Sequence, residues 1–242
     1  MEIIRVKGQI LKKLPVKEYD ALVFIYTDSL GKVLARAKSG FKKETKWISL
    51  IETMNLIDTS LYKKRDYYYL TETKVLDSFI DIKKDLNKSL LALEVLNIID
   101  KSQIDNNPNL NLFNLINYFF NELKISNKLF ELFFSFILNF FKIEGISFPL
   151  DKCIKCGKKV ENHIYFDLNL NGFVCSSHKT LHYLEIDENL YKKILNLSSF
   201  SIDNITLDKR YTEALLTIIE NLLISHYSFK LNFSIFKEYS II

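Results

Sequence analysis

The chain has 242 residues, of which 48% are hydrophobic, and this composition excludes an intrinsically disordered protein. The longest uncharged apolar run, residues 132–141, is about half of what a membrane span needs, and the N-terminus shows no basic leader followed by an apolar stretch. We therefore expect a cytoplasmic protein that does not enter the membrane, with one large or two small domains.

The first 78 residues predict a small β-barrel. Apolar and polar residues alternate in short segments between turn residues, and Val33, Ala35 and Ala37 fall on one face of such a segment. Small residues on an inward face fit a closed barrel better than an open sheet. We predict a five-stranded OB-fold barrel for residues 1–78, with strands at 4–10, 21–27, 33–39, 48–58 and 67–77.

The positive charge of the chain is concentrated in this barrel. Residues 1–80 carry 15 Lys and Arg against 10 Asp and Glu, whereas residues 81–242 carry 18 against 19. Six of the basic residues lie between positions 32 and 46, where Glu44 is the single acidic residue. A local cationic patch is typical of phosphate binding, and an ordinary solvated edge is the alternative. The candidate nucleic-acid-binding residues are Lys32, Arg36, Lys38, Lys42, Lys43 and Lys46.

From residue 79 the apolar residues follow a helical period, which predicts an all-α domain over residues 79–242. The third predicted helix has a narrow polar stripe, Glu131, Ser135 and Asn139, surrounded by phenylalanines. This pattern predicts a central core helix, and a groove for a partner is the alternative. The tail from Tyr227 fits either a strand or a helix. We expect helices at 79–99, 114–123, 127–144, 187–197 and 208–225.

Between the third and fourth predicted helices lie all three cysteines of the chain, in two pairs with metal-ligand spacing. Each pair has two residues between its ligands, and 18 residues separate the pairs. Three thiolates and an imidazole at this spacing are donors typical of structural zinc. Asn171-Gly172, between the pairs, predicts a hairpin turn. The sequence thus predicts a zinc-ribbon-like insertion at about residues 150–182, with Zn²⁺ bound by Cys153, Cys156, Cys175 and His178.

The fourth ligand has two alternatives, His182 and His163. His178 is favoured because Cys-x-x-His repeats the spacing of the first pair. A disulfide would leave one thiol over, and no oxidising compartment is indicated. A catalytic zinc of the deaminase type is disfavoured because no histidine is followed two residues later by a glutamate. The metal is therefore expected to be structural.

Three segments carry a resemblance to a known family. The first combines Thr-Asp-Ser-Leu-Gly-Lys-Val at 27–33 with Ala-Lys-Ser-Gly-Phe-Lys-Lys at 37–43. The second runs from Asn139 to Gly157 through the first cysteine pair, and the third, from His226 to Ser234, is weaker. With these segments and this domain order, the chain resembles the bacterial recombination mediator family RecO over nearly its whole length.

The resemblance implies a non-enzymatic bacterial DNA repair protein associated with the nucleoid. Members of that family bind single- and double-stranded DNA, anneal complementary strands and act with RecR. They help to load a recombinase onto DNA coated by single-strand-binding protein, whose acidic C-terminal tail they bind. One departure is His178, where members with zinc often have a fourth cysteine, and imidazole is an accepted ligand there. The alternative function is a protein-interaction scaffold that combines a barrel and a zinc ribbon without annealing DNA.

Overall fold

Five strands of the N-terminal part close into a barrel: β1 (Ile3–Val16), β2 (Asp20–Thr27), β3 (Gly31–Ala37), β4 (Leu56–Lys64) and β5 (Tyr67–Asp77). Their order around the barrel is β1-β2-β3-β5-β4. β1 pairs antiparallel with both β2 and β4, and β3 pairs parallel with β5. This arrangement is a five-stranded OB-type barrel, so the predicted fold class is confirmed.

The computed structural model describes residues 3–16, 19–42, 44–64, 67–146, 149–160 and 164–232. Its contacts divide the chain into two compact units, Met1–Lys124 and Ile125–Ile242. The first unit adds to the barrel the helices α1 (Trp47–Leu50), α2 (Ile80–Lys84), α3 (Leu86–Ser102) and α4 (Leu110–Ile125). The second unit contains α5 (Leu129–Ile143), β6 (Ile164–Asp167), β7 (Gly172–Val174), β8 (Tyr183–Ile186), α6 (Glu188–Leu197) and α7 (Lys209–Tyr227).

The barrel interior is filled by the face of β3 that the sequence indicates. Val33, Ala35 and Ala37 are buried, and they pack in one cluster with residues of the other four strands. Gly8 of β1 pairs with Thr27 of β2, and a Cβ at this position would come within 2.4 Å of Ile25 Cγ2. The close approach of the Ile25 side chain therefore favours a residue without a side chain.

The strand predicted at residues 48–58 is wrong in its first half. The segment from Trp47 to Ile51 forms a helical turn, in which the Ile51 N–H donates to the Trp47 carbonyl at 3.0 Å. Both side chains are buried in the barrel cluster, and a spacing of four brings them to one side of a helix. Asn55 then holds the turn, since its side-chain nitrogen donates to the carbonyls of Ser49 and Leu50. The strand itself begins at Leu56 and extends to Lys64.

Two of the predicted helices have different bounds because polar side chains cap them. The helix expected at 79–99 is divided at Asp85, whose extended backbone lets its carboxylate accept the N–H groups of Asn87 and Lys88. The helix expected at 114–123 begins earlier, at Leu110. There the side chain of Asn109 accepts the N–H of Leu112, so the helix starts directly after it.

The second unit is built around α5, and the predicted core helix is confirmed. Every residue from 131 to 141 is buried. The polar stripe binds to neighbouring backbone: Glu131 accepts the N–H of Leu207 at 3.0 Å. Ser135 donates to the carbonyl of Leu197, at the end of α6, at 2.8 Å, and Asn139 extends this network. The stripe thus pairs backbone groups that the core would otherwise leave without partners.

The cysteine-bearing segment forms a three-stranded sheet in the order β7-β6-β8, so a third strand is added to the predicted hairpin. Asp167 pairs with Gly172, which leaves a four-residue loop in place of the predicted two-residue turn. Asn171 ends that loop with φ +54°, in the left-handed region that asparagine tolerates. Helix α7 supports the loop, since the side-chain nitrogen of Asn221 donates to the carbonyl of Leu168 at 2.7 Å.

The domain boundary predicted between residues 78 and 79 is based on the change in sequence period. The two units are defined by contacts between residues, which is a different criterion, so the boundary stays a prediction. The chain leaves α7 at Ser228 and is neither strand nor helix through Asn232; residues 233–242 lie outside the described part of the chain. Among the helices that the structure describes, none has the length and apolar character that a membrane crossing requires.

Candidate metal centre and nucleic-acid surface

The second unit brings four metal-binding side chains to one point. The ligand atoms all lie within 4.8 Å of one another, and they belong to Cys153, Cys156, Cys175 and His178. The Nδ1 atom of His178 is 3.7 Å from the Cys153 sulfur and 3.2 Å from the Cys175 sulfur. A tetrahedral ion with bonds of about 2.3 Å to sulfur and about 2.0 Å to nitrogen separates its ligands by roughly 3.5 Å. The spacing and the donor set fit such an ion.

The first cysteine pair lies in a tight turn that hydrogen bonds close. The N–H of Cys153 donates to the Lys158 carbonyl, and the N–H of Gly157 donates to the Cys153 carbonyl, both at 2.8 Å. Gly157 has φ +70°, a conformation that glycine adopts without strain. Burial opposes ionisation of the Cys153 thiol, but backbone N–H groups that point at its sulfur outweigh burial and lower its pKa to about 6. The turn therefore favours the thiolate that a metal requires.

A buried carboxylate positions the second pair. Asp167, at the end of β6, accepts the N–H of Thr180 at 2.6 Å and those of Asn169 and Leu170 at 3.1 Å. Burial alone would raise the pKa of Asp167, and these donors, with Thr180 first, lower it below its usual value. The carboxylate thus fixes the chain two residues after His178. Asp167 is not among the site residues predicted from the sequence, although an aspartate at the end of a strand and before a loop is a known signal for such a turn.

The two alternative ligands are placed differently. His182 is absent from the cluster of ligand atoms, and its backbone N–H donates to the Thr180 hydroxyl at 3.2 Å. His163 lies outside the described residues. Among the histidines that the structure describes, His178 alone joins the three cysteines.

The predicted DNA-binding residues divide into two groups. Lys38, Lys42 and Lys46 are exposed in the loop between β3 and α1, and Lys46 lies over the Trp47 ring at 5.0 Å. Lys43 falls outside the described residues. None of the three exposed lysines makes an ion pair with a carboxylate of the described chain. In this loop the barrel presents exposed positive charge that no carboxylate of the described chain neutralises in an ion pair.

The other two predicted residues bind to acidic groups or carbonyls of the protein. The side chain of Lys32 is 13% exposed, and its ammonium donates to the Asp100 carbonyl at 2.8 Å and lies 3.3 Å from Asp105. The Arg36 guanidinium contacts Asp20 at 2.6 Å, and this contact raises the pKa of Arg36. Both cations are thus committed to contacts within the first unit, which the sequence pattern does not reveal.

The basic loop is ordered from its base. Asp20 accepts the N–H of Ser39 at 2.8 Å while it pairs with Arg36, and the N–H of Phe41 donates to the Tyr19 carbonyl at 2.8 Å. Two further turns follow, in which the backbone N–H of Lys42 donates to the Ser39 carbonyl and the backbone N–H of Thr45 donates to the Lys42 carbonyl. Asp20 therefore anchors the loop, a role that the sequence pattern does not indicate.

Family comparisons agree with this arrangement. The family described as "Recombination protein O N terminal" matches residues 1–79, and "Recombination protein O C terminal" matches residues 83–232. A "DNA repair protein RecO" from Clostridium perfringens is 31% identical over 236 residues, which cover 95% of this chain and 95% of that protein. Proteins of the same description from Clostridium novyi and Acetivibrio thermocellus are 26% and 24% identical, over 95% and 86% of this chain and 91% and 88% of their own lengths. This chain therefore belongs to the RecO family of DNA repair proteins.

Proposed function

We propose that the protein binds single- and double-stranded DNA, anneals complementary strands and helps to load a recombinase onto DNA coated by single-strand-binding protein. The observation that carries the proposal is the ordered loop between β3 and α1, where Lys38, Lys42 and Lys46 are exposed on an OB-type barrel of a RecO-family chain. These lysines act as binding groups, and the proposed function requires no catalytic step.

The chemistry of this loop suits annealing. An ammonium that contacts a phosphate releases a condensed counterion, and this release supplies affinity without regard to sequence. Contacts to phosphate leave the base edges open, whereas base-specific contacts would occupy the groups that must pair with a second strand. Exposed lysines without carboxylate partners are therefore the side chains that annealing requires.

We infer that the cluster of Cys153, Cys156, Cys175 and His178 holds structural Zn²⁺. Three thiolates and an imidazole fill all four tetrahedral positions, which leaves none for a reactive water. Bound there, the ion supplies a cross-link between the turn before β6 and the turn after β7, and it stabilises the fold.

The partners that we propose are RecR and the C-terminal tail of single-strand-binding protein, within the bacterial cytoplasm and at the nucleoid. A cavity of about 390 Å³ beside α6 suits the tail, because Val160, Ile164 and Leu195 give it an apolar wall and the exposed Lys159 lies at its border. Lys192 and Glu188 also line the cavity and pair with each other at 2.7 Å, so Lys159 is the cation proposed to meet the peptide. An acidic peptide with an apolar end complements both features. Fluorescence anisotropy with such a labelled peptide should show weaker binding to Lys159→Glu than to wild type, and equal binding would remove this cavity from the proposal.

The central test replaces two loop lysines, Lys38→Glu and Lys42→Glu, in the full chain. The double variant should bind a single-stranded oligonucleotide more weakly and with a flatter salt dependence, while its melting temperature stays that of wild type. Lys74→Glu with Lys84→Glu is the matched control, since both lysines are exposed elsewhere on the first unit. Equal affinity and salt dependence in both variants would exclude the loop from the DNA site.

Annealing separates this function from the scaffold alternative. Two complementary labelled oligonucleotides should pair faster with wild-type protein than without it, and the Lys38 and Lys42 variant should lose much of that acceleration. A scaffold that merely joins proteins would leave the pairing rate unchanged.

A further inference from the structure

The turn that carries the first cysteine pair is strongly basic. Residues 151–160 contain four lysines and one aspartate, Asp151, although residues 81–242 as a whole are slightly acidic. Lys152, Lys155 and Lys158 are exposed. The ion pairs described in the second unit join other residues, for example Lys192 to Glu188, and none of them binds these three lysines to a carboxylate of the described chain.

The backbone beneath these lysines is held in place. The Cys153–Lys158 hydrogen bond closes the turn, and Ile154 donates its N–H to the Phe173 carbonyl on β7 at 3.0 Å. Lys152 and Lys159 form a short β-bridge at the base of the turn. The buried side of the turn carries Cys153, so the lysines project from its outer side. Because the backbone is already ordered, binding at this surface requires little further ordering.

The composition of the turn favours phosphate over an acidic peptide. A protein partner usually needs an apolar anchor residue in a pocket, and the exposed residues from 151 to 158 are charged or small, apart from the half-buried Ile154. Phosphate groups need only accessible cations. We propose that Lys152, Lys155 and Lys158 form a second DNA-binding surface, which contacts the phosphate backbone and includes none of the lysines of the barrel loop.

This site extends the proposed function and rests on it. Annealing brings together two strands, and a chain with a cationic surface on each of its two units has a contact for each strand. Occupation of one surface raises the effective concentration of DNA at the other. A bound metal would then also affect DNA binding, because the turn that it would hold in place carries the three lysines.

The test compares two triple variants of the full chain. One replaces Lys152, Lys155 and Lys158 by Gln, and the control replaces three exposed lysines elsewhere in the second unit, Lys142, Lys209 and Lys230. Affinity for a labelled single-stranded oligonucleotide is measured by anisotropy between 50 and 200 mM salt. Three phosphate contacts on a single strand contribute about 2 to the slope of log affinity against log salt, so wild type should lose roughly 20-fold more affinity over this range than the first variant.

The outcomes are distinct. A wild-type slope in the first variant, when wild type binds DNA, overturns the second surface and leaves the barrel site intact. No DNA binding by wild type refutes the proposed function and this site together. Should the first variant lose affinity for an aspartate-rich peptide while its DNA slope is unchanged, the turn binds an acidic protein and the proposal is wrong.

Chemical acetylation of the wild-type protein provides a measurement that does not depend on folding of a variant. Bound single-stranded DNA should protect Lys152, Lys155 and Lys158 several-fold from acetylation, as read by mass spectrometry, and should leave Lys209 unprotected. Equal modification of all four lysines with and without DNA would overturn the proposal.

Discussion

Lys32 and Lys38 provide a direct separation of stability from DNA binding within the barrel. Replacement of Lys32 by Met removes an ammonium that is 13% exposed and donates to the Asp100 carbonyl at 2.8 Å. A hydrogen bond from a charged group contributes roughly 1.5–3 kcal/mol, and release of a poorly hydrated charge offsets part of it, so a net loss of about 1–2 kcal/mol is expected. For a unit of this size the melting temperature should fall by roughly 3–8 °C.

Lys38→Met should show the opposite pattern. Its side chain is exposed and makes no ion pair in the described chain, so the melting temperature should stay that of wild type. The slope of log affinity against log salt for single-stranded DNA should fall by about 0.7, the value for one phosphate contact. Lys32→Met should leave this slope unchanged. Anisotropy titrations and thermal melts of both variants check this, and a lower slope with an unchanged melt for Lys32→Met would refute the assignment of Lys32 to the fold.

Three further changes test the structure itself. Gly31 has φ +68°, and a Cβ there would lie 2.2 Å from the Asn107 carbonyl oxygen, so Gly31→Ala should lower the free energy of unfolding by more than about 1 kcal/mol in urea titrations. Folding lowers the pKa of Asp167, so the stability that its carboxylate contributes is present above the unfolded pKa of about 4 and is lost as pH falls through the folded pKa. Asp167→Asn should therefore be less stable than wild type at pH 7 and should lose less stability on acidification. Parallel profiles of stability against pH for the two proteins would contradict this. Cys175→Ser should lower bound zinc, measured by elemental analysis, together with the melting temperature, whereas full zinc content in the variant would exclude Cys175 as a ligand.

The helix starts that the sequence predicts well have a local cause. Asp187 and Asp208 stand first in two of the predicted helices, and each is the N-cap, with its carboxylate accepting an N–H three residues later at 2.8 Å. A cap is made by residues that are neighbours in sequence, so its signal is visible without the fold. The cluster of ligands around Cys153 was predictable for the same reason, because each half is a short spacing.

The errors have a different origin, since they depend on residues far apart in the chain. The turn at Trp47 forms because its side chain and that of Ile51 pack into the core cluster with residues of all five strands, and only the closed barrel brings those strands together. Likewise, Lys32 is engaged by Asp100, 68 positions later. Alternation of apolar residues and counts of charge contain no information about such pairs. They therefore predict a strand where the turn at Trp47 forms, and a cation available to DNA at Lys32.

Ion pairing also decides which positive charges are available to DNA. To contact a phosphate, Arg36 would have to leave the Asp20 carboxylate 2.6 Å away, so one anionic contact would be exchanged for another with little gain. An exposed lysine in water makes the same contact while releasing a counterion, and the gain is retained. A count of net charge assigns the DNA surface to the barrel alone, because residues 81–242 have a slight acidic excess. Among the exposed lysines without carboxylate partners in the described chain, Lys38 with Lys42 and the group around Lys155 beside the cysteines are the two surfaces proposed for DNA.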